Sequence, residues 1–114
     1  MLIEKVGGSA ATCVVETVHS MPRQGVASAF TFGATFGSIL SIIQARQLPL
    51  HLISPSRWKR DLGLTGKDKK AALHKARLLF PAAELSRAKD HGRAEALLLG
   101  HWWLRHGATQ RAAE

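Results

Sequence analysis

The sequence predicts an α/β domain, a βαβ unit followed by helices. Three observations carry this. A β-branched run, Thr-Cys-Val-Val-Glu-Thr-Val at 12–18, is apolar on both alternating faces, as in a strand buried within a parallel sheet. Residues 27–47 place Phe32, Phe36, Ile39, Leu40 and Ile43 at helical spacing. A second short apolar run, Leu-His-Leu-Ile at 50–53, follows Pro49. Strand, long helix and strand make parallel neighbours joined by a right-handed crossover.

Residues 1–6 read as the end of a helix stopped by Gly7 and Gly8. Pro22 and Gly25 mark a loop before the long helix. After the second strand, Ser54 or Ser56 can cap a short helix reaching Leu62, with Pro55 near its start. Gly63 and Gly66 flank a turn. Residues 67–80 form an amphipathic helix, with Leu73, Ala76 and Leu79 or Phe80 on one face, ended by Pro81. Asp90 stands where an N-cap belongs, and 91–106 is the last helix. Two strands do not make a sheet that stands alone. The expectation is therefore one domain over 1–114 that forms the C-terminal portion of a larger fold, or a sheet completed by a partner.

With 114 residues, 46% of them hydrophobic, the chain can bury a modest core. Sixteen Lys and Arg against eight Asp and Glu give a net charge of +8, which favours a polyanionic partner and excludes an acidic solvating tail. The single cysteine, Cys13, excludes a disulfide framework and a Cys-based zinc site, and fits a reducing cytoplasm. Glu4 and Lys5 interrupt the N-terminus, so no secretory leader is expected there. The apolar stretch 26–43 approaches the length of a membrane span. Ser28, Thr31, Thr35, Ser38, Ser41 and two glycines argue against that reading, and no membrane partner is expected.

Half of the basic residues lie between positions 57 and 77: Arg57, Lys59, Arg60, Lys67, Lys69, Lys70, Lys75 and Arg77, opposed by Asp61 and Asp68 alone. Trp58 lies among them, positioned to stack on a base or to fill the core. This stretch, with Arg23 and Lys89, is the candidate phosphate-backbone surface. The competing reading is a solvated helix face.

Acids are few. Glu16 ends an apolar strand, at the carboxyl end where ligands of open α/β sheets gather. An acid there is costly to bury without a partner, so it is either a ligand or a rim residue paired to a cation. His91 and Glu95 are four apart on one helical face, with Asp90 at the same end. A strand acid facing helix-borne acids can hold divalent metals that activate water for phosphodiester hydrolysis. Glu16, Asp90 and Glu95, with His91 as helper, fall about one ligand short of a full two-metal set. The competing reading is that Asp90 only caps and Glu95 only favours the helix N-terminus. Gly33 and Gly37, four apart on the long helix, permit close backbone approach within the fold or to a second helix. The stretch 63–68 lacks the spacing of a phosphate loop. His101, Trp102, Trp103 and His106 are assigned no ligand role.

Several ordered motifs resemble one family. Val14-Val15-Glu16-Thr17-Val18-His19-Ser20-Met21-Pro22-Arg23-Gln24-Gly25 resembles a segment of phage and bacterial RuvC-like Holliday junction resolvases. So do Phe32-Gly33 with Phe36-Gly37, and Ile53-Ser54-Pro55-Ser56-Arg57-Trp58-Lys59. Gly66-Lys67-Asp68-Lys69 and Asp90-His91-Gly92-Arg93-Ala94-Glu95-Ala96-Leu97-Leu98 complete the series over 12–104. The resemblance implies an RNase H-like fold, cutting of branched DNA with Mg²⁺ or Mn²⁺, a homodimer, and a bacterial or phage-encoded cytoplasmic enzyme. It implies Glu16 as the strand glutamate, Glu95 as the last-helix acid, and Asp90 or His91 as its neighbouring ligand. Asp68 is expected at the surface, outside catalysis. The aspartate that the family carries on its first strand has no counterpart here. The alternatives are therefore a non-catalytic nucleic-acid-binding remnant, or an interaction protein using the Gly33 and Gly37 face.

Overall fold

The computed structural model describes residues 2–6, 10–17 and 24–113, with side chains over 11–17 and 24–107. Gly7, Gly8 and Arg23 lie outside the described residues. The elements are β1 (Leu2–Val6), β2 (Ala10–Glu16), α1 (Val26–Ala45), β3 (Leu50–Ile53), α2 (Pro55–Asp61), α3 (Lys69–Leu79), a 3-10 turn (Ala88–Asp90) and α4 (His91–Ala113).

The βαβ unit is present. β2 and β3 are parallel, with Val14 opposite His51 and Glu16 opposite Ile53. The opening segment corrects the expectation of a helix end. It is a strand, paired antiparallel to β2 in register Leu2 with Val14, so the sheet has three strands in the order β1-β2-β3. Glycines after an apolar segment mark a hairpin as readily as a helix stop, and five residues are too few for periodicity to separate the two.

Alternation along the strands assigns the two faces. Cys13 and Val15 point toward α1, forming a small cluster with Ile43 that Phe36, Ile39, Leu48 and Leu50 flank. Val14 and Ile53 point the other way, into the main core with Trp58, Leu64, Leu73, Ala76, Leu98 and Trp102 from α2, the following turn, α3 and α4. The second face holds most of the burial, and each large apolar side chain buried there contributes roughly 1.5–3 kcal/mol. By the same alternation Glu16 lies on the face of Val14, toward α2 and α4.

α1 is the exception to this packing. Ile43 is its one buried residue, while Val26, Phe30 and Ile42 are exposed. The hydroxyls of Thr35, Ser38 and Ser41 donate to the carbonyls four residues earlier, so they add little polarity to its surface. α1 is long and apolar enough to cross a membrane. It ends at Ala45 rather than Gln47. Gln47 takes φ 55° and Leu48 N–H returns to Ile43 O at 3.2 Å, a Schellman turn with glutamine where glycine is usual.

α2 begins as its sequence predicts. Ser54 Oγ accepts from Arg57 N–H at 3.3 Å and Pro55 occupies the first turn. It closes in a second Schellman turn: Gly63, at φ 72°, donates to Arg60 O and Leu64 N–H to Lys59 O at 2.7 Å. Asp68 caps α3, accepting from Ala71 N–H at 3.0 Å.

Candidate functional site

Glu16 ends β2 beside the point where β3 passes into α2, held there by Thr17 N–H donating to Ile53 O at 2.9 Å. Its Oε2 accepts from the indole N–H of Trp58 at 2.8 Å. The next residue on α2, Lys59, sets its ammonium 4.0 Å from Glu95 Oε2 on α4 and 5.5 Å from the centre of the Trp58 ring. Two neighbouring residues of α2 thus reach the strand carboxylate and the helix carboxylate.

On the first turn of α4, His91 Nδ1 lies 4.0 Å from the other Glu95 oxygen. This nitrogen is buried and accepts or donates no hydrogen bond among the described residues. An imidazole nitrogen and a carboxylate side by side are the donor types a divalent ion takes, Mn²⁺ more readily than Mg²⁺.

Asp90 departs from its expected place. It closes the 3-10 turn and reaches backward rather than capping α4. Arg87 donates to it three times: backbone N–H to Oδ2 at 3.0 Å, Nε to Oδ2 at 3.3 Å and Nη2 to Oδ1 at 2.9 Å. These bonds, the guanidinium's foremost, hold the Asp90 carboxyl below the usual carboxylate range. These three bonds take three of the roughly four acceptor positions of the Asp90 carboxylate. Among the described residues, no three His, Cys, Asp or Glu side chains come together as a metal-binding group. Among the described residues Glu16, Asp90 and Glu95 do not come together as one group, whereas His91 and Glu95 stand side by side.

The basic residues divide by what they touch. Arg57 lies 6.0 Å over the Trp102 ring, Arg60 3.5 Å from Asp61, and Arg77 donates to Leu85 O at 2.6 Å, anchoring the loop after α3. Lys75 is half-buried on α3, while Lys70 and Lys89 are exposed. Lys59, Lys67 and Lys69 line a cavity of about 360 Å³ with Asp68, Leu64, Ala72 and Glu95. This cavity, between α2, the turn at Gly66 and the start of α3, is shared by three lysines and Glu95, and Lys59 is the one whose ammonium approaches that carboxylate, at 4.0 Å. Sequence reasoning missed two partners, Trp58 for Glu16 and Arg87 for Asp90. The first had a signal: a buried indole N–H needs an acceptor, and this chain has few acids.

No family model matches the chain. Over 93 residues, 79% of its length, it is 40% identical to the Holliday junction resolvase MOC1, chloroplastic, of Chlamydomonas reinhardtii. The chain is similar to a Holliday junction resolvase. It spans 10% of that relative's length. The match corrects one expectation, that of a bacterial or phage cytoplasm: the relative is a chloroplast protein of a eukaryote.

Proposed function

We propose that this protein is a divalent-metal-dependent endonuclease acting on branched DNA, of the RuvC-like kind with an RNase H-like fold. The similarity to a Holliday junction resolvase over 79% of the chain carries the reading. The pair of Glu95 and His91 beside a lysine-lined cavity, with Glu16 bonded to the neighbouring residue of Lys59 on α2, supports it.

Glu95 and His91 would hold a divalent cation, Mg²⁺ or Mn²⁺, with Glu16 presented from the strand; the chemistry supplied there would be an activated water and relief of charge on the scissile phosphate. Lys59, Lys67 and Lys69 hold the phosphates flanking the cut, and Arg57, Arg60, Lys70, Lys75 and Arg77 extend the contact along the backbone. Asp90 keeps the start of α4 in place through Arg87. The enzyme acts as a homodimer, with the exposed apolar face of α1 between copies; Gly33 and Gly37 have open space where a Cβ would stand, which admits a second helix.

The test is cleavage of a labelled four-way junction beside a plain duplex, with Mg²⁺ and with Mn²⁺. Junction cutting that falls by orders of magnitude in Glu16→Gln and Glu95→Gln, with metal-free binding intact, is the expected result. Replacement of Gly33 and Gly37 by Leu is expected to yield monomers in sedimentation. Association with lipid vesicles by the unaltered chain would overturn the dimer face.

A second reading has its own observation. The described residues gather two donors rather than three, which suits a junction-binding module without cutting. It predicts equal binding by wild type and Glu16→Gln, a steep salt dependence, and no product with either metal.

A further inference from the structure

Trp58 is fully buried, yet it is joined to an acid at the end of a strand 42 positions earlier. We propose that Trp58 is the positioning residue for Glu16, its indole N–H fixing the orientation of the carboxylate that acts in cleavage. This rests on the nuclease reading given above.

Both ends of the bond are rigid. Trp58 is fully buried in the core cluster that Val14 and Ile53 of the sheet and Ala94 and Leu98 of α4 also enter. α2, which carries it, is fixed at its start by the Ser54 cap and at its end by the turn at Gly63. Glu16 is held through Thr17 N–H on Ile53 O, one residue before that cap. An indole offers one donor and no acceptor, so the bond has one polarity and one direction. A carboxylate that accepts at Oε2 loses rotation about its last torsion and keeps its remaining lone pairs aimed along fixed lines. Partners of this kind are worth 10–100-fold in metal affinity or activity at metal sites.

The placement of Lys59 makes the arrangement more than a satisfied core tryptophan. Its ammonium is 5.5 Å from the Trp58 ring centre and 4.0 Å from Glu95, so consecutive residues of α2 reach both carboxylates. A tryptophan needing only an acceptor would not require its neighbour to engage the second acid of the site.

The experiment uses the full chain and Trp58→Phe, which keeps an aromatic ring and removes the donor. Junction cutting is expected to lose about 10–100-fold in kcat, with KM and metal-free junction affinity unchanged. A readout independent of cleavage is the indole N–H resonance of the metal-free protein, assigned by its absence in Trp58→Phe. It is expected to move in Glu16→Gln, to stay in place in Glu95→Gln, and to move again on titration with Mg²⁺ alone. If Trp58→Phe fails to fold, benzothienylalanine at position 58, which replaces the N–H by sulfur within the same outline, takes its place. Unchanged kcat in either variant, while Glu16→Gln abolishes cutting, overturns the positioning role and leaves the nuclease reading standing. Normal cutting by Glu16→Gln overturns both. An indole resonance indifferent to Glu16→Gln overturns the bond itself.

Discussion

The indole N–H of Trp102, midway along α4, donates to Asp61 Oδ2 at the last residue of α2 over 2.7 Å. Trp102 is 1% exposed, and Arg57 and His106 lie against its two-ring system. Loss of the acceptor strands a buried donor, so Asp61→Ala is expected to destabilise by about 1–3 kcal/mol. Asp61→Asn, which keeps an acceptor, is expected to lose less. Urea unfolding of the two variants measures the difference; equal midpoints would refute the assignment.

Acid sensitivity follows from Asp90 and Asp61. Both carboxyls are held below the usual range, Asp90 first by the Arg87 guanidinium and Asp61 first by the Trp102 indole. A depressed carboxylate contributes stability that is present above its unfolded value, about 3.9, and is lost as pH falls through that value toward the folded one. Arg87→Gln is expected to flatten the decline below pH about 4. Asp90→Asn is expected to lower the unfolding midpoint and leave the Mg²⁺ concentration for half-maximal cutting unaltered. A large rise in that concentration would instead return Asp90 to the ligand set.

His101 behaves in the opposite chemical sense. Burial, then the charges of Arg105, Lys75 and His106, hold its imidazole below the usual histidine range. The unfolded chain takes up a proton near pH 6.5 that the folded chain refuses until lower pH, so stability falls as pH drops through that window. His101→Gln is expected to remove this slope between about pH 7 and 5 while leaving the decline below 4. Unfolding midpoints across pH 4.5 to 8 test it, in a range of roughly the histidine titration.

Gly107 sits one turn after Trp103 on α4, and a Cβ there would come within 2.8 Å of the Trp103 ring. Alanine favours a helix by about 1 kcal/mol over glycine. The clash reverses that preference, because Trp103 is buried in the core and lies against the tilted His51 ring at 4.2 Å between centroids. Gly107→Ala is expected to lower the unfolding midpoint; a rise would show that the ring has room to move.

Gln47 holds a left-handed conformation without glycine's freedom. Gln47→Gly is expected to raise stability by roughly 0.5–1 kcal/mol, since the strain of a Cβ at that φ is removed. Calorimetry decides it, and a loss would mean that the Gln47 side chain contributes something the backbone does not show.

The βαβ unit was legible because its signals are local. β3 falls at the residues its apolar run marks, and Ser54, Pro55 and Gly63 act at the helix ends where their chemistry places them, whereas Asp68, expected inside a helix over 67–80, caps one that begins at Lys69. β1 was not legible, since a five-residue segment takes its state from the strand it pairs with. The same distinction runs through the site. Glu16 could be singled out from its position at a strand end, and His91 with Glu95 from their spacing of four. The partners Trp58 and Arg87 depend on packing between elements. Arg87 in particular ties Asp90 into a 3-10 turn, which no spacing rule shows.

The distribution of chromophores has a practical result. The chain has no tyrosine and three tryptophans, and all three belong to the core between the sheet and α2, α3 and α4. Intrinsic emission therefore originates on one side of the sheet. It reports the surroundings of Glu16 and Asp61 directly, through indoles bonded to those carboxylates. It is blind to α1, whose aromatic residues are phenylalanines excited far less at tryptophan wavelengths. Fluorescence melting curves thus follow the tryptophan core alone, while far-ultraviolet circular dichroism sums every helix, α1 included, and an α1 that loosens before the core would separate the two.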